Sequence, residues 1–99
     1  VVIKPIYNSV GWDELKRFLY KDFIGIMEKI IRESEHNLNV TISDSFRKFV
    51  CNFYTEAIAC MIINLFQNPG VCDRNELFEY FSVILSNSLP ALLLSQKVN

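Results

Sequence analysis

The sequence predicts an all-α domain, an antiparallel bundle of three long helices plus one short N-terminal helix. Apolar residues recur at intervals of three and four over long stretches, which is the spacing of one helix face. Helix-capping residues precede two of these stretches, and no stretch alternates as a half-buried strand does. The 99 residues suffice for one domain, and we expect it to span residues 1–99.

The first two helices are predicted on either side of a turn. The first is short, around residues 1–8, and the run Asn8-Ser9-Val10-Gly11 has turn chemistry. The second is expected from about Trp12 to Glu35, with charged residues opposite an apolar stripe. That stripe consists of Trp12, Leu15, Leu19, Phe23, Ile26 and Ile30.

The last two helices have clearer ends. Ser43 or Thr41 is expected to cap a third helix over residues 44–67, which the run Asn68-Pro69-Gly70 ends. Asp73 and Glu76 form a capping box for a fourth helix, from residue 74 to about 96. Pro90 lies within the fourth helix, and we expect it to kink the helix or to end its regular part near Ser86.

Charge is distributed unevenly along the chain. Residues 1–50 carry fifteen charged side chains and residues 51–99 carry six, of which only two are basic. DNA binding needs clustered lysine and arginine, so this chain is not expected to bind DNA itself. The apolar second half instead predicts an interface, because a lone domain of this size cannot cover so much apolar surface.

The third and fourth helices are joined by a short connection and should pack antiparallel. Two such pairs related by a two-fold axis would form a four-helix bundle, so we predict a homodimer. The residues predicted for its interface are Ile58, Ile62, Leu65, Phe78, Phe81, Leu85, Leu89 and Leu92.

Catalytic, metal and membrane roles are not expected. The three cysteines lack zinc-binding spacing, and His36 is the only histidine, so we predict neither a metal site nor a cofactor. No nucleophile has a base and an orienting group within predicted reach, which argues against an enzyme. No segment suggests a membrane span or a signal peptide, so the expected location is the cytoplasm.

Two segments are similar to the C-terminal regulatory domain of TetR/AcrR-family transcriptional regulators. The run IYNSVGWDEL, followed by Phe18-Leu19-Tyr20, resembles the segment that joins two helices of that domain. The run FYTEAIACMIINLFQNPG resembles the family's penultimate helix. The resemblance implies a bacterial repressor that homodimerises through its last two long helices. It also implies an N-terminal helix-turn-helix that reads DNA and is absent from this chain, which begins at Val1 rather than at a methionine.

The same resemblance implies a pocket for a small apolar effector. We expect that pocket between the second and third helices, near Trp12 and Tyr54, because ligand pockets are lined by aromatic residues with a few polar groups. The predicted ligand-binding residues are Tyr7, Trp12, Phe23, Met27, Phe49, Phe53 and Tyr54. Glu56 is a further candidate, for a cationic ligand or an interface ion pair. A helical module that binds a partner helix in an apolar groove is the alternative function.

Overall fold

Three helices make up the chain in a computed structural model that describes residues 3–70 and 73–99, with side chains from Gly11 onward. Helix α1 spans Ile3–Leu38, α2 spans Asp44–Gln67 and α3 spans Arg74–Ser95. Within those residues every regular element is a helix. The prediction of an all-α domain is therefore confirmed.

Helix α1 is continuous where the sequence predicted a short helix, a turn and a second helix. It runs through residues 8–11 without interruption and ends only at Asn39, whose left-handed φ of 56° turns the chain. Pro5 lies in its first turn, where no backbone N–H is needed. Gly11 costs a helix about 1 kcal/mol, which an otherwise unbroken hydrogen-bond ladder offsets. The turn preference of residues 8–11 is therefore weaker than the tendency of the long helix to continue through them.

Helix α2 begins and ends as the sequence predicts. The Ser43 hydroxyl accepts a hydrogen bond from the backbone N–H of Phe46 at 3.1 Å, so Ser43 rather than Thr41 is the N-cap. The helix ends at Gln67, and Gly70 follows with a φ of 103° that favours glycine.

Helix α3 starts at the predicted capping box and continues past Pro90. Asp73 and Glu76 exchange the two capping-box hydrogen bonds. The expectation that regular helix ends near Ser86 is wrong, because the helix persists to Ser95. The helix on either side of the proline is held by Leu89 and Leu93, whose burial in the core offsets the missing proline N–H.

The core lies between the three helices, and its central contact joins α2 to α3. The Tyr54 ring meets the Phe81 ring edge to face at 6.3 Å, and its hydroxyl is hydrogen-bonded to Ser88. At the other end, the backbone N–H of Val98 donates to the carbonyl of Thr41 at 2.7 Å. The C-terminus of α3 therefore lies beside the α1–α2 turn, and α3 runs antiparallel to α2. The buried core residues are Met27, Ile31, Val40, Ile42, Val50, Cys51, Tyr54, Ile58, Ile62, Leu77, Phe81, Leu89 and Leu93.

Candidate interface and ligand-binding surfaces

Helix α3 carries a row of exposed residues on the side away from the core. The row, which we call the outer stripe, consists of Tyr80, Ile84, Asn87, Ala91 and Leu94, all exposed. The steps of four, three, four and three residues keep them on one side of a helix, as in the seam of a coiled coil. Four of the five are apolar or aromatic, and Ile84 is 57% exposed.

No charge interrupts this surface. The sequence has no charged residue between Glu79 and Lys97, and Val83 widens the apolar strip on its flank. A helix face that pointed permanently to water would carry charged side chains. The outer stripe therefore has the composition of an interface rather than of a solvated face.

Helix α2 adds a second exposed apolar patch. The Phe49 and Phe53 rings lie 6.5 Å apart on successive turns, and Phe49 is 66% exposed. Met61 is also exposed, two turns beyond Phe53. Exposed aromatic pairs of this kind are enriched at protein interfaces.

The chain exposes more surface than its mass requires. A monomeric protein of 11.5 kDa has an accessible surface of about 5,800 Å², whereas this chain exposes 6994 Å². The radius of gyration is 16.1 Å, and the extents of the chain are 57 × 25 × 16 Å. A compact domain of this length has a radius of gyration of about 13 Å. The three helices thus form an elongated, thin layer with an excess of about 1,200 Å² of surface.

Four of the predicted interface residues are covered by the chain itself. Ile58, Ile62, Phe81 and Leu89 belong to the buried core. Of the remaining four, Leu65, Leu85 and Leu92 are half-buried and Phe78 is exposed. The helical spacing correctly placed these residues on apolar faces, but it could not tell which face meets the neighbouring helix of the same chain.

The predicted ligand-binding residues lie in three different environments. Met27 and Tyr54 are buried in the core, whereas Phe49 and Phe53 point outward from α2. Two others are half-buried: Phe23, and Trp12, whose ring stacks on the exposed Phe66 at 6.3 Å. Tyr7 lies outside the residues whose side chains are described. The described members of the set therefore do not line one common cavity.

A cleft of about 350 Å³ does open between α1 and α2; its Cys51 lies about one turn from Tyr54, but its Ile24 lies about three turns from Trp12. Its size falls at the lower end of the range for small-molecule sites, about 300–1,000 Å³. Its lining residues are Ile24, Glu28, Arg32, Asp44, Arg47, Lys48, Cys51 and Asn52. Sequence reasoning missed this cleft because most of its lining is polar, and polar residues were assigned to the solvated side of each helix.

The thiol of Cys51 lies at the base of the cleft. Its sulfur is 3.4 Å from the carbonyl oxygen of Ile24 on α1, to which the thiol donates. Burial raises the pKa of the Cys51 thiol, so the neutral form predominates at pH 7. The base of the cleft is therefore an uncharged surface, while the rim carries charged side chains.

Glu56 joins two helices rather than binding a buried charge. Its carboxylate is 3.4 Å from the ammonium of Lys16 on α1, and both side chains are about half exposed. The Cys60 sulfur lies 3.8 Å from the same carboxylate. An exposed pair of this kind contributes little to stability, because water and salt screen the attraction.

No group of three metal-ligating side chains occurs among residues 3–70 and 73–99.

Helices α2 and α3 are each long and apolar enough to cross a membrane by length and composition. This departs from the expectation that no segment suggests a span, although the buried core helices of water-soluble proteins have the same property.

Comparison of the chain with protein-family models, curated proteins and solved structures gives no match.

Proposed function

We propose that this chain is the regulatory domain of a TetR-like bacterial transcriptional repressor. In this proposal the domain homodimerises through α2 and α3 and senses a small-molecule effector. Effector binding controls DNA binding by a helix-turn-helix that the chain does not contain. The observation that carries the proposal is the charge-free apolar surface of α3, together with the exposed aromatic residues of α2.

The excess accessible surface of the chain is large enough to supply a dimer interface. A standard protein interface buries roughly 800 Å² on each partner, and the excess over a compact monomer is about 1,200 Å². One standard interface with a further copy of the chain would cover about two thirds of this excess. The paired α2–α3 units would then form the four-helix bundle expected from the sequence.

The α1–α2 cleft supports the sensing half of the proposal. An apolar base at Ile24 and Cys51 suits the body of a small apolar effector, and the rim offers Lys48 and Asn52 as polar contacts. A ligand in the cleft would contact both helices, so it could change the way they pack against each other.

The cleft can be tested with the fluorescent probe 8-anilinonaphthalene-1-sulfonate, which has an apolar ring system and one sulfonate. We expect saturable binding that weakens several-fold in Lys48→Glu, because the substitution places a second negative charge beside the sulfonate. Lys29→Glu is the matched control, since Lys29 lies outside this cleft. Equal binding by both variants would show that the probe occupies another surface.

The alternative function is a helical module that binds a partner helix. The outer stripe of α3 favours it, because its spacing fits a single helix as well as a second copy. The two functions differ in the behaviour of the isolated chain: a repressor-like domain is a dimer on its own, whereas a helix-binding module is a monomer until its partner is added.

A further inference from the structure

Asn87 stands at the centre of the outer stripe and is its only amide. Tyr80 lies seven residues before it and Leu94 seven residues after it, while Ile84 and Ala91 lie three before and four after. The stripe is therefore nearly symmetric about Asn87 in position. It is not symmetric in size, since Ile84 is large and Ala91 is small.

This asymmetry distinguishes the two ways in which a helix can pair with its own copy. In an antiparallel pair centred on Asn87, Tyr80 faces Leu94 of the second copy, and Ile84 faces position 90, one residue before Ala91 of the second copy. In a parallel in-register pair, the two alanines would face each other and leave a gap. Close packing favours the antiparallel arrangement, because large and small side chains then alternate across the seam.

Asn87 has hydrogen-bonding capacity left for a partner. Its amide nitrogen donates to the carbonyl of Val83 at 2.7 Å, which uses one of its two N–H groups. Its carbonyl oxygen has no partner within the described part of the chain, and the residue is exposed. Two such amides facing each other can exchange N–H to oxygen hydrogen bonds.

We propose that α3 pairs antiparallel with α3 of a second copy, and that Asn87 meets Asn87 of that copy on the two-fold axis and fixes the register. A single asparagine in an apolar seam fixes alignment, because any shifted register buries its amide without a partner. This inference rests on the proposed homodimer and adds its orientation and its register-determining residue.

The occupant is a second copy for two reasons present in the molecule. The stripe carries no charge, so two copies approach without like-charge repulsion. The excess surface of about 1,200 Å² exceeds what one partner needs to cover, about 800 Å². A lipid surface would satisfy the apolar residues but would leave the Asn87 amide unpaired.

The first test is Asn87→Asp, which places two carboxylates opposite each other only if the residue meets its own copy. We expect the dimer dissociation constant to rise more than about a hundredfold at pH 8, because like charges face each other across the seam. At pH 4.5 most of the affinity should return, since one of two facing carboxyls takes up a proton at a raised pKa. Ser86→Asp, on a different side of α3, is the matched control and should leave dimerisation unchanged.

The outcomes separate the inference from the proposed function. A wild-type dimer whose Asn87→Asp variant dimerises equally well at both pH values overturns the inference and leaves the homodimer intact. A wild-type chain that is monomeric overturns both. Circular dichroism checks that each variant remains helical, which the exposure of Asn87 leads us to expect.

The second test determines orientation with cysteine pairs in a Cys60→Ser, Cys72→Ser background. Chains carrying Ile84→Cys and chains carrying Ala91→Cys should form a disulfide when mixed and oxidised, because the antiparallel pair brings these positions within one residue of facing each other. Neither variant alone should form one efficiently. A disulfide between two Ile84→Cys chains would establish a parallel pair and overturn the inference.

Discussion

Arg47 binds both carboxylate oxygens of Glu35 and so ties the start of α2 to the end of α1. The guanidinium Nε lies 2.7 Å from Oε1, and Nη2 lies 2.9 Å from Oε2. The same carboxylate also accepts the backbone N–H of Ile42 at 3.3 Å, within the connecting turn. Both charged side chains are about nine-tenths buried. The pair therefore holds the α1–α2 turn, and its Arg47 also lines the cleft.

Glu35→Gln is expected to destabilise the fold by about 3 kcal/mol, because it leaves a buried guanidinium with incomplete charge compensation. Urea denaturation followed by circular dichroism measures the change. Glu28→Gln is the matched control, since the Glu28–Arg32 pair is exposed on the surface of α1 and should cost less than about 1 kcal/mol. Equal losses in the two variants would contradict a structural role for the buried pair.

The same pair predicts how stability changes in acid. Hydrogen bonds from Arg47 hold the pKa of Glu35 below its ordinary value, against the opposing effect of burial. A carboxyl whose pKa is lowered in the folded state stabilises the fold at pH values above its unfolded-state pKa, which is about 4.3 for glutamate. It loses that contribution as the pH falls through its folded-state pKa. The difference in the free energy of unfolding between wild type and Glu35→Gln should thus shrink as the pH falls through the folded-state pKa of Glu35. A difference that stays constant from pH 7 to pH 3 would contradict the assignment.

Tyr54→Phe is expected to cost about 1 kcal/mol, because it removes the hydroxyl that bonds to Ser88 across the α2–α3 contact. The Ser88 hydroxyl donates to the Ile84 carbonyl at 2.6 Å, so Tyr54 is the donor of the pair. A double-mutant cycle with Ser88→Ala isolates the interaction, with an expected coupling of at least about 0.5 kcal/mol. Strictly additive losses would show that the two hydroxyls do not stabilise each other.

Phe81→Glu and Ile84→Glu should have different consequences although the residues are three positions apart. Phe81 is buried against Tyr54, so a charge there should unfold the chain, at a cost above about 4 kcal/mol. Ile84 is exposed in the outer stripe, so Ile84→Glu should stay folded but become monomeric. Circular dichroism and sedimentation velocity separate the two effects, with Ser86→Glu as a control that remains folded and dimeric. A folded, dimeric Ile84→Glu would show that the outer stripe is not the interface.

Helix ends were predictable where side chains cap them. Ser43, Asp73 and Glu76 bond to the backbone within three residues of themselves, so local sequence is enough to place the starts of α2 and α3. The continuity of α1 across Gly11 was not predictable in this way, because it depends on the balance between a local turn preference and a long helix.

The orientation of apolar faces was not predictable from sequence. In α3 both the Phe81 side and the Ile84 side are apolar, and only tertiary packing decides that Phe81 faces α2. The α1–α2 cleft was missed for a related reason: Lys48 and Arg32 are ordinary surface residues on single helices, and they line one cleft only when the helices pack.

The central claim is that the outer faces of α2 and α3 pair with a second copy of the chain. The direct test is sedimentation equilibrium of the wild-type chain between about 1 and 50 μM, which detects a dimer whose dissociation constant lies in or below that range. We expect a single species of twice the 11.5 kDa chain mass, reduced to the chain mass in Ile84→Glu. A wild-type chain that remains at 11.5 kDa over the whole range would contradict it.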